Sequence, residues 1–164
     1  EIDILNTEIN ILKNQFKNNN ENALSVICIF SNLSKASKEN FFLFNEHIVD
    51  LLQIFKLGID HSFYKINYQT SELIFVFMNQ LINSSDNDFD KAKISNEIFS
   101  IIKSKFKNNE VDQQLKLSLT STTGYLLIYF GNLLNFEYVN DIFDCFNSKL
   151  NNDNLKNLIL TILI

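Results

Sequence analysis

A recurrence of paired helical segments constrains this chain more than any other feature. Stretches with apolar residues at helical spacing follow one another, each closed by an Asn- or Ser-rich break. Grouped two by two, the leading segments start near Asn22, Ser62, Glu110 and Asn152, at separations of 40, 48 and 42 residues. A helix–turn–helix period of roughly 40–47 residues is that of HEAT and armadillo solenoids. Each unit of such an array buries its apolar face on its neighbours and leaves a long surface for protein partners. The expected fold is all-α: a HEAT-type α-solenoid, or α-α superhelix, of about eight antiparallel helices. It runs as a single segment over residues 1–164.

The periodicity places the helices. Ile2, Leu5, Ile9, Leu12 and Phe16 form one apolar stripe. A second helix, residues 22–35, carries Ala23, Val26, Ile27, Phe30 and Leu33 and turns at residues 34–38. A third ends near Leu57 with Ile48, Leu51, Leu52 and Phe55 inward, and Gly58 fits a left-handed position after its end. The fourth covers residues 62–82. Its run Leu73-Ile74-Phe75-Val76-Phe77-Met78 has the composition of a buried strand, but a long stretch without Gly or Pro around it predicts helix. Ile94, Ile98, Ile101, Ile102 and Phe106 mark the fifth, and residues 111–130, closed by Gly131, the sixth. Gly124 inside that helix costs about 1 kcal/mol against Ala, which points to a close helix approach or a slight kink. Phe136, Val139, Ile142, Phe143, Phe146 and Leu150 define the seventh. The eighth begins after Asn152 and is still apolar at Ile164. The first segment has no partner ahead of it and the last has no polar cap, so the chain is expected to be an internal piece of a longer array.

Composition narrows function. Apolar residues make up 46% of the chain, enough for a packed core. Proline, tryptophan and arginine are absent beside abundant Asn, Lys, Ile and Phe, a pattern that reads as the codon bias of an AT-rich genome. A net charge of −5 opposes general nucleic-acid binding, which needs a concentrated basic footprint. The longest apolar runs are far too short to span a bilayer. Cys28 and Cys145 each lie in an apolar stretch and read as inert buried thiols. A reducing compartment is expected, cytoplasmic or nuclear. The sequons at Asn32 and Asn83 read as chance matches in so Asn-rich a chain.

Few residues offer chemistry. Asp86, Asp88, Asp90 and Glu97 match oxygen positions of a calcium-binding EF-hand loop, which makes a calcium-binding helical protein the alternative of another class. The sixth position, where that loop needs Gly, is Lys91, and Lys93 adds a second cation, so an acidic turn ahead of a helix is the stronger reading. Glu46, His47 and Asp50 share a helix edge, but neither His47 nor His61 has the companions of a structural zinc site. Lys103, Lys105 and Lys107 complement a helix C-terminus and secondarily offer a contact for an acidic partner. No nucleophile is paired with a base by a motif, and three glycines make no phosphate loop. No enzyme activity, metal, cofactor or small-molecule substrate is expected.

Several phrases resemble a known family. Asp60-His61-Ser62-Phe63-Tyr64-Lys65-Ile66 resembles a Gly-Asp-Pro-Phe-Tyr-Lys-Ile segment of the cullin-associated, neddylation-dissociated (CAND) HEAT-repeat proteins. Glu110-Val111-Asp112-Gln113-Gln114-Leu115-Lys116 resembles their Asp-Ile-Asp-Gln-Glu-Val-Lys segment. Gly124, Gly131-Asn132-Leu133-Leu134 and Ala23-Leu24-Ser25 fit the same pattern in order. Ser62 stands where the family has Pro, and the family's arginines are missing. The resemblance implies a central part of a superhelix that wraps unmodified cullin–RING scaffolds and exchanges substrate receptors. The expected function is thus a protein-binding scaffold in the regulation of cullin–RING ubiquitin ligases. The alternatives are a HEAT-repeat nuclear transport receptor or a phosphatase scaffold. In HEAT arrays the second helix of each pair lines the concave face. Helical phase then makes Glu46, Asp50 and Gln53; Asn96, Ser100 and Lys103; and Asn140, Asp141, Asp144 and Ser148 the candidate partner contacts.

Overall fold

Every regular element among the described residues is helical. The computed structural model describes residues 44–85, 89–106 and 113–135, with Thr7, Asn10, Ile11, Asn14, Glu137 and Asn140. Within them lie α1 (Ile48–Ile59), α2 (Tyr64–Asn83), α3 (Lys91–Phe106) and α4 (Gln113–Phe130). The chain divides into two compact units, Glu1–Asp90 with α1 and α2, and Lys91–Ile164 with α3 and α4. Residues 73–78 are helical, in the middle of α2. Thr7, Asn10, Ile11 and Asn14 are helical and exposed. The expected helices at 22–35 and from Asn152 onward, the turn at 34–38, Cys28 and Cys145 lie outside the described residues.

In the first unit, α1 carries Leu51, Ile54, Phe55, Gly58 and Ile59 on one buried stripe, at the spacing of an amphipathic helix. Leu51, Ile54, Phe55 and Ile59 are fully buried, and each such side chain contributes about 1.5–3 kcal/mol. Residues 60–63 turn the chain, and α2 returns antiparallel. Phe55 meets Phe77 edge-on, with ring centroids 5.5 Å apart and planes at 66°. α2 is buried around much of its circumference: Tyr64, Lys65, Asn79 and Asn83 are its exposed residues. That accounts for its nearly continuous apolar run, which no single stripe would require.

Gly58 corrects an expectation. It is not a left-handed cap but lies inside the last turn of α1, without a left-handed φ. The chain bends instead through Asp60, at φ −91° and ψ 0°. Gly58 is needed because α2 presses on it. A Cβ there would overlap Thr70 Oγ1 and come within 2.7 Å of Thr70 Cγ2. Thr70 has no room to swing away: it is fully buried, and its hydroxyl donates to the Ile66 carbonyl at 2.7 Å. Next to this contact, Asn67 Nδ2 donates to the carbonyls of Gly58 at 3.0 Å, Ile59 at 2.9 Å and His61 at 2.7 Å. Gly58 and Ile59 lie in the last turn of α1, where carbonyls lack intrahelical partners, and His61 lies in the connection.

In the second unit, Ile94, Ile98, Ile101 and Ile102 are buried as the period predicts, joined by Phe99. α4 is unusual in burying Thr120, Thr122, Thr123 and Gly124 beside Leu115, Leu119, Leu126 and Phe130. Its hydroxyls are satisfied within the helix: Thr122 donates to the Ser118 carbonyl at 3.0 Å and Thr123 to that of Leu119 at 2.7 Å. Ser95 of α3 likewise donates to the Lys91 carbonyl at 2.6 Å. Gly131 closes α4, its N–H donating to Leu127 at 3.1 Å, and any Cβ there would strike the Leu127 carbonyl oxygen. The start of α3 meets the turn after α4, so these two helices also run antiparallel.

The pairing frame differs from the expected one. Residues 62–82 and the helix of Ile94–Phe106 had been grouped as one hairpin, yet the boundary between the two units falls between them. The described hairpins are α1 with α2 and α3 with α4. The period alone does not encode which neighbours pair.

Gly58→Ala is expected to lower unfolding free energy by about 1–3 kcal/mol in urea titration, opposite to the gain Ala gives in an open helix. Adding Thr70→Ala should return part of that loss, a positive coupling in the double-mutant cycle.

Candidate functional site

The sequence-derived surface residues fall on two helices, one in each unit. Along α1 and the 3-10 turn before it at residues 44–47, the exposed line is Glu46, Val49, Gln53, Lys56 and Asp60, spaced by three and four residues. Glu46 and Gln53 lie on it, while Asp50 is half-buried at its edge. Val49, 73% exposed, was not anticipated. Its signal was its phase, three residues after Glu46 and four before Gln53 on a polar face. The mixture is two acids, an amide, a cation and an exposed methyl pair.

Along α3 the exposed line is Lys93, Glu97, Ser100 and Ser104. Ser100 is on it, and Asn96 and Lys103 flank it half-buried. The structure gives Asn96 an internal role. Its Nδ2 donates to the carbonyls of Ala92 at 2.7 Å and Leu133 at 2.9 Å, and its Oδ1 accepts the Asn135 N–H at 2.9 Å. One amide thus pairs with backbone on both sides of the turn that follows α4. Lys103 and Lys105 occupy the last turn of α3, where cations complement the macrodipole. Asn140 is helical and exposed, and Asp141, Asp144, Ser148 and Lys107 lie outside the described residues.

α4 adds an exposed face that the choice of second helices passed over. Ile128 is 56% exposed, with Tyr129 and Leu133 also open to solvent. Tyr125 stacks on Tyr129 with centroids 4.6 Å apart. Burial, and then the neighbouring Tyr129, push the Tyr125 phenol above its ordinary value, so it remains a protonated donor at neutral pH. The apolar character of residues 125–130 was legible; which of its sides faces water was not.

Among the described residues, no group of three or more His, Cys, Asp and Glu stands where it could hold a metal. Residues 91–97, which an EF-hand loop would need partly as a Gly-centred turn, are the first two turns of α3. Asp86 and Asp88 lie outside the described residues. His61 is locally bonded, its Nδ1 accepting the Phe63 N–H at 3.0 Å. His47 is the half-buried N-cap of α1, without a side-chain capping bond. No described helix is long and apolar enough to cross a membrane. The exposed faces are a mixed line on α1, a polar and charged line on α3, and an apolar and aromatic face at α4. No protein-family model, curated protein or solved structure matches the chain.

The internal role of Asn96 separates it from its neighbour. Asn96→Ala should lose about 1–2 kcal/mol of stability, since three backbone groups lose their side-chain partner. Ser100→Ala should stay within about 0.5 kcal/mol of the parent by chemical denaturation.

Proposed function

We propose that the chain is a protein-binding scaffold of HEAT type, acting on an unmodified cullin–RING scaffold in the regulation of ubiquitin ligase assembly. The observation that carries the reading is where the family-like segments fall. Residues 60–66 form the connection from α1 to the first turn of α2. Gln113–Lys116 begins α4, and Gly131–Leu134 ends it. Segments that resemble helix boundaries of a HEAT superhelix thus sit at helix boundaries here. Antiparallel hairpins with polar outer lines are the elements such a superhelix is built from. Binding would rest on shape and charge complementarity, with no bond made or broken.

On this reading the exposed lines of α1 and α3 supply contacts through Glu46, Gln53 and Ser100, with half-buried Lys103 at the edge. Purified full-length protein should retain an unmodified cullin–RING complex and release a neddylated one. Glu46→Lys with Gln53→Lys should weaken that binding about tenfold, roughly 1.4 kcal/mol, with the melting temperature unchanged because both positions are exposed. Undiminished affinity in the double variant would remove α1 from the interface. Retention of a nuclear-transport GTPase with no cullin bound would replace the reading with the transport-receptor one.

A further inference from the structure

His61 is an ionisable side chain, 8% exposed, with no part in the surface proposed above. Its place is the corner between α1 and α2. The ring Nδ1 accepts the Phe63 N–H at 3.0 Å, which fixes the neutral tautomer with its proton on Nε2. The backbone on either side of the ring is tied as well. The His61 N–H donates to the Gly58 carbonyl at 3.3 Å, and the His61 carbonyl accepts from Asn67 Nδ2 at 2.7 Å. Phe63 in turn is where α2 begins: its carbonyl accepts the N–H groups of Ile66 at 3.0 Å and Asn67 at 3.4 Å. The imidazole therefore holds the residue from which the second helix starts.

We propose that His61 makes the α1–α2 corner an acid-sensitive joint: a proton added to Nδ1 replaces the acceptor of the Phe63 N–H with a donor, breaks that bond and frays the start of α2. Two N–H groups cannot share the space of one hydrogen bond, so the ring or the Phe63 backbone must move. Asn67 couples the movement to the end of α1, because the same amide holds Gly58, Ile59 and His61.

The other ionisable groups on the elements of this corner are Asp50 and Lys56 of α1, Asp60 in the connection, and Tyr64, Lys65, Tyr68 and Glu72 of α2. Lys56, Asp60, Tyr64 and Lys65 are exposed; Asp50, Tyr68 and Glu72 are half-buried. Burial is what holds the His61 imidazole below its ordinary value of 6.5. A lowered folded-state value means that the unfolded chain binds the proton more readily. The stability due to neutral His61 is then fully present above pH 6.5 and is lost as pH falls from there toward the lowered value. The joint is independent of the cullin reading, since it concerns the corner alone.

Amide hydrogen exchange of the full chain, corrected for intrinsic rates, tests this from about pH 7.5 to about pH 5. Opening at Phe63 and Ile66 should rise by up to about tenfold per unit of pH inside the window, the slope of one proton taken up. His61→Asn should abolish the slope, because its carbonyl oxygen accepts the same bond two residues on without titrating. His47→Asn, about 18 Å away at the other end of α1, should keep the slope. A wild type without the slope, or an equal slope in His61→Asn, overturns the proposal. Should that variant not fold, NMR titration of the wild-type ring decides. A value below 6.5, with the Phe63 amide shifting in parallel, supports the joint, and a value at or above 6.5 overturns it.

Discussion

A helix that turns straight into its neighbour must find partners for the carbonyls at its end. At the α1–α2 corner that need is met by backbone N–H groups, Asp60 on Lys56 and His61 on Gly58, together with one buried side chain, the amide of Asn67, which donates to Gly58, Ile59 and His61. The geometry requires the two helices to approach closely, and Gly58 against Thr70 makes the approach possible. The apolar pairing farther along, with Phe55 on Phe77, depends on that angle and separation. Buried apolar side chains supply most of the favourable energy, but they are not directional. The amide and the missing Cβ are what select one arrangement of the two rods.

The second unit reaches a comparable end by different means. Asn96 lies near the start of α3 and ties the turn after α4, pairing with Leu133 and Asn135. Thr122, Thr123 and Ser95 return their hydroxyls to carbonyls of their own helices, so buried faces rich in Ser and Thr carry no unmet donors at those positions. Polar side chains in both units thus serve the fold at these positions.

Much of this was legible from residue order. Ile94, Ile98, Ile101 and Ile102 announced their helix because four branched apolar residues at that spacing have one packed solution. Residues 73–78 required length, not composition, to be read as helix. Gly58 was misread because a glycine near a helix end has two physical uses, a left-handed turn and a close approach, and only the neighbour decides. Asn67 and Asn96 were illegible as ties, because a chain so rich in Asn gives no sign of which amides are buried. Of the surface residues, Glu46, Gln53 and Ser100 were placed on exposed lines by phase alone. Val49 was missed because an apolar residue at a polar phase reads as noise until its surroundings are known.

The central physical claim is that one amide fastens the first hairpin. Hydrogen exchange of the Asn67 side-chain NH2 protons, followed by NMR in the folded chain, tests it most directly. Protons held by the carbonyls of Gly58, Ile59 and His61 should exchange orders of magnitude more slowly than those of exposed Asn45 or Asn132 and show NOEs to residues 58–61. Exchange of Asn67 at the rate of those exposed amides, with no such NOEs, would contradict the account.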